Sequence, residues 1–170
     1  MRRRFTVLLV GVAVAALVVA MAGAAVAQGA ASVIRCEPGP PKACKGTPAK
    51  DDITGSRGAD NIFAFGSPDS VDGKGGDDVV QGGRGEDLPG KGGGLEGGAG
   101  DDTVMGQRGD DTVQDQVTAD KDRLFGGRGN DLVDGADGDN RDTVNCGPGV
   151  DFFDADPGDN VNLNNCEKPF

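Results

Sequence analysis

Residues 126–134 read Gly126-Gly127-Arg128-Gly129-Asn130-Asp131-Leu132-Val133-Asp134. Three glycines crowd the first four places, an acid stands sixth and an aliphatic residue eighth. The first half suits a tight turn, because glycine enters backbone conformations closed to other residues. The second half suits a short strand that buries one side chain. A single copy decides little in a chain with 31 glycines among 170 residues, against roughly 7 % in average proteins. Recurrence decides.

Aligned on the acid and on the apolar residue two places later, the chain repeats with a period of nine. Residues 46–54 hold Asp51 and Ile53, and residues 55–63 hold Gly55, Gly58, Asp60 and Ile62. Residues 64–72 hold Asp69 and Val71, residues 73–81 hold Gly73, Gly76, Asp78 and Val80, and residues 82–90 hold Gly82, Gly83, Gly85 and Asp87. Residues 91–96 then slip the frame by six, with Gly93 where an acid is expected. The pattern recovers at 97–105 with Gly97, Gly98, Gly100, Asp102 and Val104, and continues at 106–114 with Gly106, Gly109, Asp111 and Val113. Asp115-Gln116 reads as a two-residue insertion, and residues 117–125 keep Asp122 and Leu124 without the glycines. After 126–134, Gly135-Ala136 reads as another insertion. Asp142 with Val144, Gly149 with Asp151 and Phe153, and Asp159 with Val161 prolong the pattern in eroded form.

Over residues 46–154 the chain resembles the hemolysin-type, or repeats-in-toxin, calcium-binding family, whose pattern is G-G-x-G-x-D-x-U-x with U large and aliphatic. The resemblance implies an all-β parallel β-roll, a β-solenoid with one short strand and one turn per nonapeptide. It also implies a calcium ion between each turn and the turn two repeats on. The chemistry agrees, since Ca2+ takes six to eight oxygens, and a glycine turn can offer carbonyls beside the carboxylate at the sixth place. The expected metal-binding residues are Gly55, Gly58, Asp60, Gly73, Gly76, Asp78, Gly82, Gly85, Asp87, Gly97, Gly100, Asp102, Gly106, Gly109, Asp111, Gly126, Gly129 and Asp131. Asp69, Asp122 and Asp142 suit a solvated turn equally well. Asp77, Asp101, Asp110 and Asn130, at the fifth place, are expected to face solvent or brace the turn from outside. The stretch 91–96 and the glycine-poor turn at Val117 are expected to bind weakly or not at all. The eighth-place residues Ile53, Ile62, Val71, Val80, Val104, Val113, Leu124, Val133 and Val144 are expected core, mostly β-branched as strands prefer.

Residues 1–27 read as a signal peptide. Arg2, Arg3 and Arg4 precede an apolar run, and Ala25-Val26-Ala27 has a cleavage spacing, so the mature chain is expected to begin at Gln28. Loss of those three arginines takes the net charge from −11 to about −14. So acidic a surface argues against nucleic acid and anionic membranes and for cations. Export permits disulfides. Cys36 with Cys44 and Cys146 with Cys166 are the expected pairs, each closing a short loop at one end of the repeats. The prolines at 38, 40, 41 and 48 mark residues 36–50 as a loop or cap rather than a strand, and the expected caps are 28–45 at the N-terminus and 155–170 at the C-terminus.

The chain has no histidine, which removes the Ser–His–Asp, Cys–His and His–zinc chemistries. No G-x-S-x-G occurs, and the repeats leave no room for a second domain with an active site. The expectation is a secreted or cell-surface monomer, not an enzyme, with calcium as cofactor and partner and a structural role. The alternative is a polysaccharide-active enzyme or glycan-binding module on a β-solenoid. Thr54, Thr103, Thr112 and Thr143 are too scattered to form the flat ladder such a face would need.

Overall fold

The structure is a computed structural model and describes residues 31–39, 43–89, 94–115, 120–139 and 141–169. The expected signal peptide, Gly93 and Val117 lie outside the described residues.

Each nonapeptide yields one strand too short to fold back on its neighbour, and the turn that follows carries the chain to an opposite sheet. Two parallel sheets result, of eight and seven strands. The first holds β1 (Ser32–Arg35), β3 (Asp51–Thr54), β5 (Ser70–Asp72), β7 (Leu95–Glu96), β9 (Thr112–Gln114), β11 (Leu132–Asp134), β13 (Phe152–Asp154) and β15 (Lys168–Pro169). The second holds β2 (Ala43–Lys45), β4 (Asn61–Phe63), β6 (Val79–Arg84), β8 (Thr103–Arg108), β10 (Arg123–Arg128), β12 (Thr143–Asn145) and β14 (Asn160–Val161). Every strand pairs in parallel with the strand two places away, so the chain is a β-roll with no helix among the described residues.

Register places like on like. Ile53 lies opposite Val71, Val71 opposite Leu95, Leu95 opposite Val113 and Val113 opposite Val133. In the second sheet Ile62, Val80, Val104, Leu124 and Val144 align in the same way. All ten are fully buried in one core. Burial of each such side chain contributes about 1.5–3 kcal/mol. The layer is thin, with Phe153 its only buried aromatic residue among those described.

Three features of the sequence resolve differently in space. The six added residues, expected at 91–96, fall instead between Asp87 and β7, so Asp87 keeps its place in the stack and Leu95 takes the core place in β7. Asp115 and Gly135 are not extra residues. Each directly follows its strand and donates its backbone N–H to the next coil, as Gly55 and Gly73 do. They therefore hold the first place of their turns, and the added length falls later in the turn. Finally, β1 and β2 extend the roll into the proline-rich segment, and β14 and β15 extend it toward the C-terminus. The prolines at 38 and 48 sit in connections, where their missing N–H breaks no ladder. Disulfides join Cys36 to Cys44 and Cys146 to Cys166, one toward each end of the roll, as the spacing predicts.

Candidate metal sites on the two turn edges

Because the turns alternate between sheets, their aspartates stack in two columns. Asp51, Asp69, Asp87, Asp111, Asp131 and Asp151 form one, and Asp60, Asp78, Asp102, Asp122, Asp142 and Asp159 the other. The expected residues fall into two contiguous groups. Gly82, Gly85, Asp87, Gly106, Gly109, Asp111, Gly126, Gly129 and Asp131 share the first edge. Gly55, Gly58, Asp60, Gly73, Gly76, Asp78, Gly97, Gly100 and Asp102 share the second. Asp69, Asp122 and Asp142 are no more solvated than the rest: all three are buried.

Each aspartate backbone N–H but the last of each column donates to Oδ1 of the aspartate one coil on, for instance Asp111 to Asp131 at 2.9 Å and Asp78 to Asp102 at 2.6 Å. The other oxygen has no such use. Oδ2 of Asp69, Asp78, Asp87, Asp102, Asp111, Asp122, Asp131, Asp142 and Asp151 is sealed from solvent and accepts no hydrogen bond. A buried polar atom without a partner costs about 1–3 kcal/mol, and more when charged. Nine of them in repeating positions are not an accident of packing. In six of the nine turns a first-place glycine makes room: a Cβ on Gly126, for instance, would lie 2.6 Å from Asp131 Oδ2 and 2.5 Å from the carbonyl oxygen of Cys146. At the fourth place, Gly109 has φ +133°, and a Cβ there would overlap the carbonyl oxygen of Gly85.

The electrostatics follow from this burial. Desolvation, reinforced by neighbouring aspartates, pushes Asp78 up to about 8 and Asp69, Asp111 and Asp122 to about 7. Desolvation also lifts Asp87, Asp102, Asp131 and Asp142 to about 6. The columns are short of positive charge. Two arrangements supply it, protons or a cation with a taste for carboxylate and carbonyl oxygen.

Two N-terminal turns differ. Thr47 and Ser56 stand where some later turns have glycine, and their backbone N–H groups donate to Oδ2 of Asp51 at 2.5 Å and of Asp60 at 2.7 Å. These turns close on themselves, which leaves Asp60 less available than Asp78 above it. At the fifth place a second ladder runs along the outside. Asp101 N–H donates to Asp77 and Asn130 N–H to Asp110, so these residues brace the turns as expected.

Carboxylates that the repeat does not anticipate join the second column. Asp102, Asp115 and Asp122 place one oxygen each within 4.8 Å of one another, as do Asp122, Asp137 and Asp142, and Asp139, Asp142 and Asp159. Asp115 is fully buried, and burial with Asp122 and Asp102 beside it pushes it up to about 9. Reading it as an insertion hid this role. Counting forward from Val113 through Gln114 puts it at a first place instead.

The RTX calcium-binding nonapeptide repeat model matches in four copies, at residues 45–80, 64–88, 95–113 and 117–153. Neither a curated protein nor a solved structure matches the chain significantly. The matched repeats cover more than half of the chain, so it belongs to the RTX calcium-binding nonapeptide repeat family, and its repeats bind Ca2+.

Proposed function

We propose that this is an exported calcium-binding protein whose roll folds on, or is stabilised by, calcium, and whose role outside the cell is structural. The observation that carries this reading is the set of buried, unpartnered Oδ2 atoms in both aspartate columns. The ligands would be the carboxylates of Asp78, Asp87, Asp102, Asp111 and Asp131 with carbonyl oxygens of the glycine turns around them. Bound calcium would supply the missing positive charge and a partner for the carboxylate oxygens that no hydrogen-bond donor reaches. Export is supported by the leader pattern of residues 1–27 and by the two disulfides, which persist in oxidising compartments. It would also match a chain that meets calcium only after leaving the cell. Extracellular modules often bind in the range of about 10⁻⁴–10⁻³ M.

Far-ultraviolet circular dichroism tests this. At pH 8, where the aspartate columns are charged, the purified protein in chelator should lose most of its β-structure and regain it as calcium is added. Identical spectra in both conditions would contradict it.

A further inference from the structure

We propose that Asp102, Asp115 and Asp122 form a three-carboxylate site for a hard divalent cation, calcium first of all, which fills before the glycine-turn sites. The proposal rests on the reading that the roll binds calcium. It assigns the tightest site to the one turn whose sequence has lost its glycines.

Other first places, such as Gly73, Gly97, Gly106 and Gly126, offer no side chain. Asp115 occupies the same place at the end of β9 and sends a carboxylate into the stack. Gly97, one coil before, leaves the space: a Cβ there would lie 2.6 Å from Asp102 Oδ2 and would overlap Asp115 Oδ2. The backbone N–H of Gly98 donates to Asp115 Oδ2 at 3.1 Å, which orients the carboxylate. Asp102 N–H likewise donates to Asp122 Oδ1 at 2.8 Å and fixes that group.

Three oxygens are then left over. Asp115 Oδ1, Asp102 Oδ2 and Asp122 Oδ2 are each sealed from solvent and meet no N–H or hydroxyl donor. The Asp102 and Asp115 carboxyls lie within hydrogen-bond reach of each other, so either a shared proton or a cation must hold them together. The three side chains are buried, and each has an oxygen within 4.8 Å of the others. Oxygens sharing one Ca2+ at 2.3–2.6 Å can be no more than about 5 Å apart, so the spacing fits a single ion. The two salt bridges among the described residues, Lys74–Asp72 and Arg141–Asp139, involve none of the three, so no lysine or arginine there balances the charge. On the other edge no first place carries a carboxylate, Ala64 and Cys146 standing there beside the glycines. On the same edge the clusters around Asp137 and Asp139 are only partly buried, whereas all three members here are buried. Calcium affinity rises with the charge of the ligand set, which ranks the Asp115 site above them.

The test is a calorimetric calcium titration of the purified, chelator-stripped protein, with Asp115→Asn, Asp115→Gly and Asp111→Asn beside it. The wild type should show one ion bound about tenfold or more tightly than the rest. Asp115→Asn and Asp115→Gly should each lose that phase and keep the weaker one; the glycine variant restores the ordinary first-place residue and so guards against a folding failure. Asp111→Asn should lose capacity from the weak class and keep the tight ion. A wild type that takes up calcium, with both Asp115 variants titrating identically to it, would overturn this site and leave the general calcium reading standing. A wild type that takes up no calcium would overturn both.

Discussion

The second place of most turns, though not at Thr47, Ser56 or Ala136, takes a left-handed backbone. Gly83, Gly98 and Gly127 adopt it at φ of 107°, 112° and 117°, but Phe65, Lys74 and Gln107 are held there at 78°, 80° and 79°. At the fourth place Ser67 is held at φ 121°, where Gly100 and Gly109 have 131° and 133°. A side chain in these regions costs about 1–3 kcal/mol, and the stacked turns above and below impose it. Replacing Ser67 by glycine should therefore stabilise the calcium-loaded roll by about 1 kcal/mol, partly offset by the freer unfolded chain. Thermal unfolding should show a rise of a few degrees, and a fall in melting temperature would contradict the strain argument. The demand for a left-handed backbone was legible from the consensus glycines. That Phe65 and Ser67 meet it without glycine was not, because the reason lies in neighbouring coils.

At the scale of strands and turns, the aspartate and aliphatic places were readable because each has one physical duty repeated many times. Val80, Val104 and Leu124 stand in register and fully buried, as the period requires. Insertions were harder. A change in turn length can be placed before or after the acid with equal fit to a linear pattern, and only pairing decides. Leu95 pairs with Val71 and Val113, so the added residues fall between Asp87 and β7. The same ambiguity concealed Asp115. At the N-terminal end proline suggested loop, and Pro38 and Pro48 do lie between strands, yet Ala43–Lys45 between them form β2, where Cys44 pairs with Ile62 as another core residue. At the opposite end Cys146 stands at a first place, and its bond to Cys166 ties successive coils covalently. Closing loops in this way restricts the unfolded chain and stabilises the ends.

For the whole molecule, the two columns make stability depend on protons and calcium in opposite senses. The aspartates lie well above their ordinary value in the folded chain, to about 8 at Asp78 and about 7 at Asp69, Asp111 and Asp122. A group raised on folding lends stability while protonated and withdraws it as pH climbs through its folded value. In chelator, the roll should thus be most stable near pH 4 and lose stability steadily up to about pH 8. With saturating calcium the dependence should reverse, because the ion binds the deprotonated form. Melting curves at pH 5 and pH 8, with calcium and with chelator, check the crossing. A chelated protein equally stable at both pH values would count against buried, protonated columns.

The central claim is that the folded chain, and not the unfolded one, binds calcium through these columns. Melting temperature measured against clamped free calcium tests it most directly, with magnesium as the control. Above its dissociation constant, each ion bound only by the folded state adds about 1.4 kcal/mol for every tenfold rise in free calcium. The account predicts a melting temperature that climbs steadily with calcium, falls back on chelation and responds weakly to magnesium, which prefers a stricter octahedral shell. A melting temperature indifferent to calcium would contradict it.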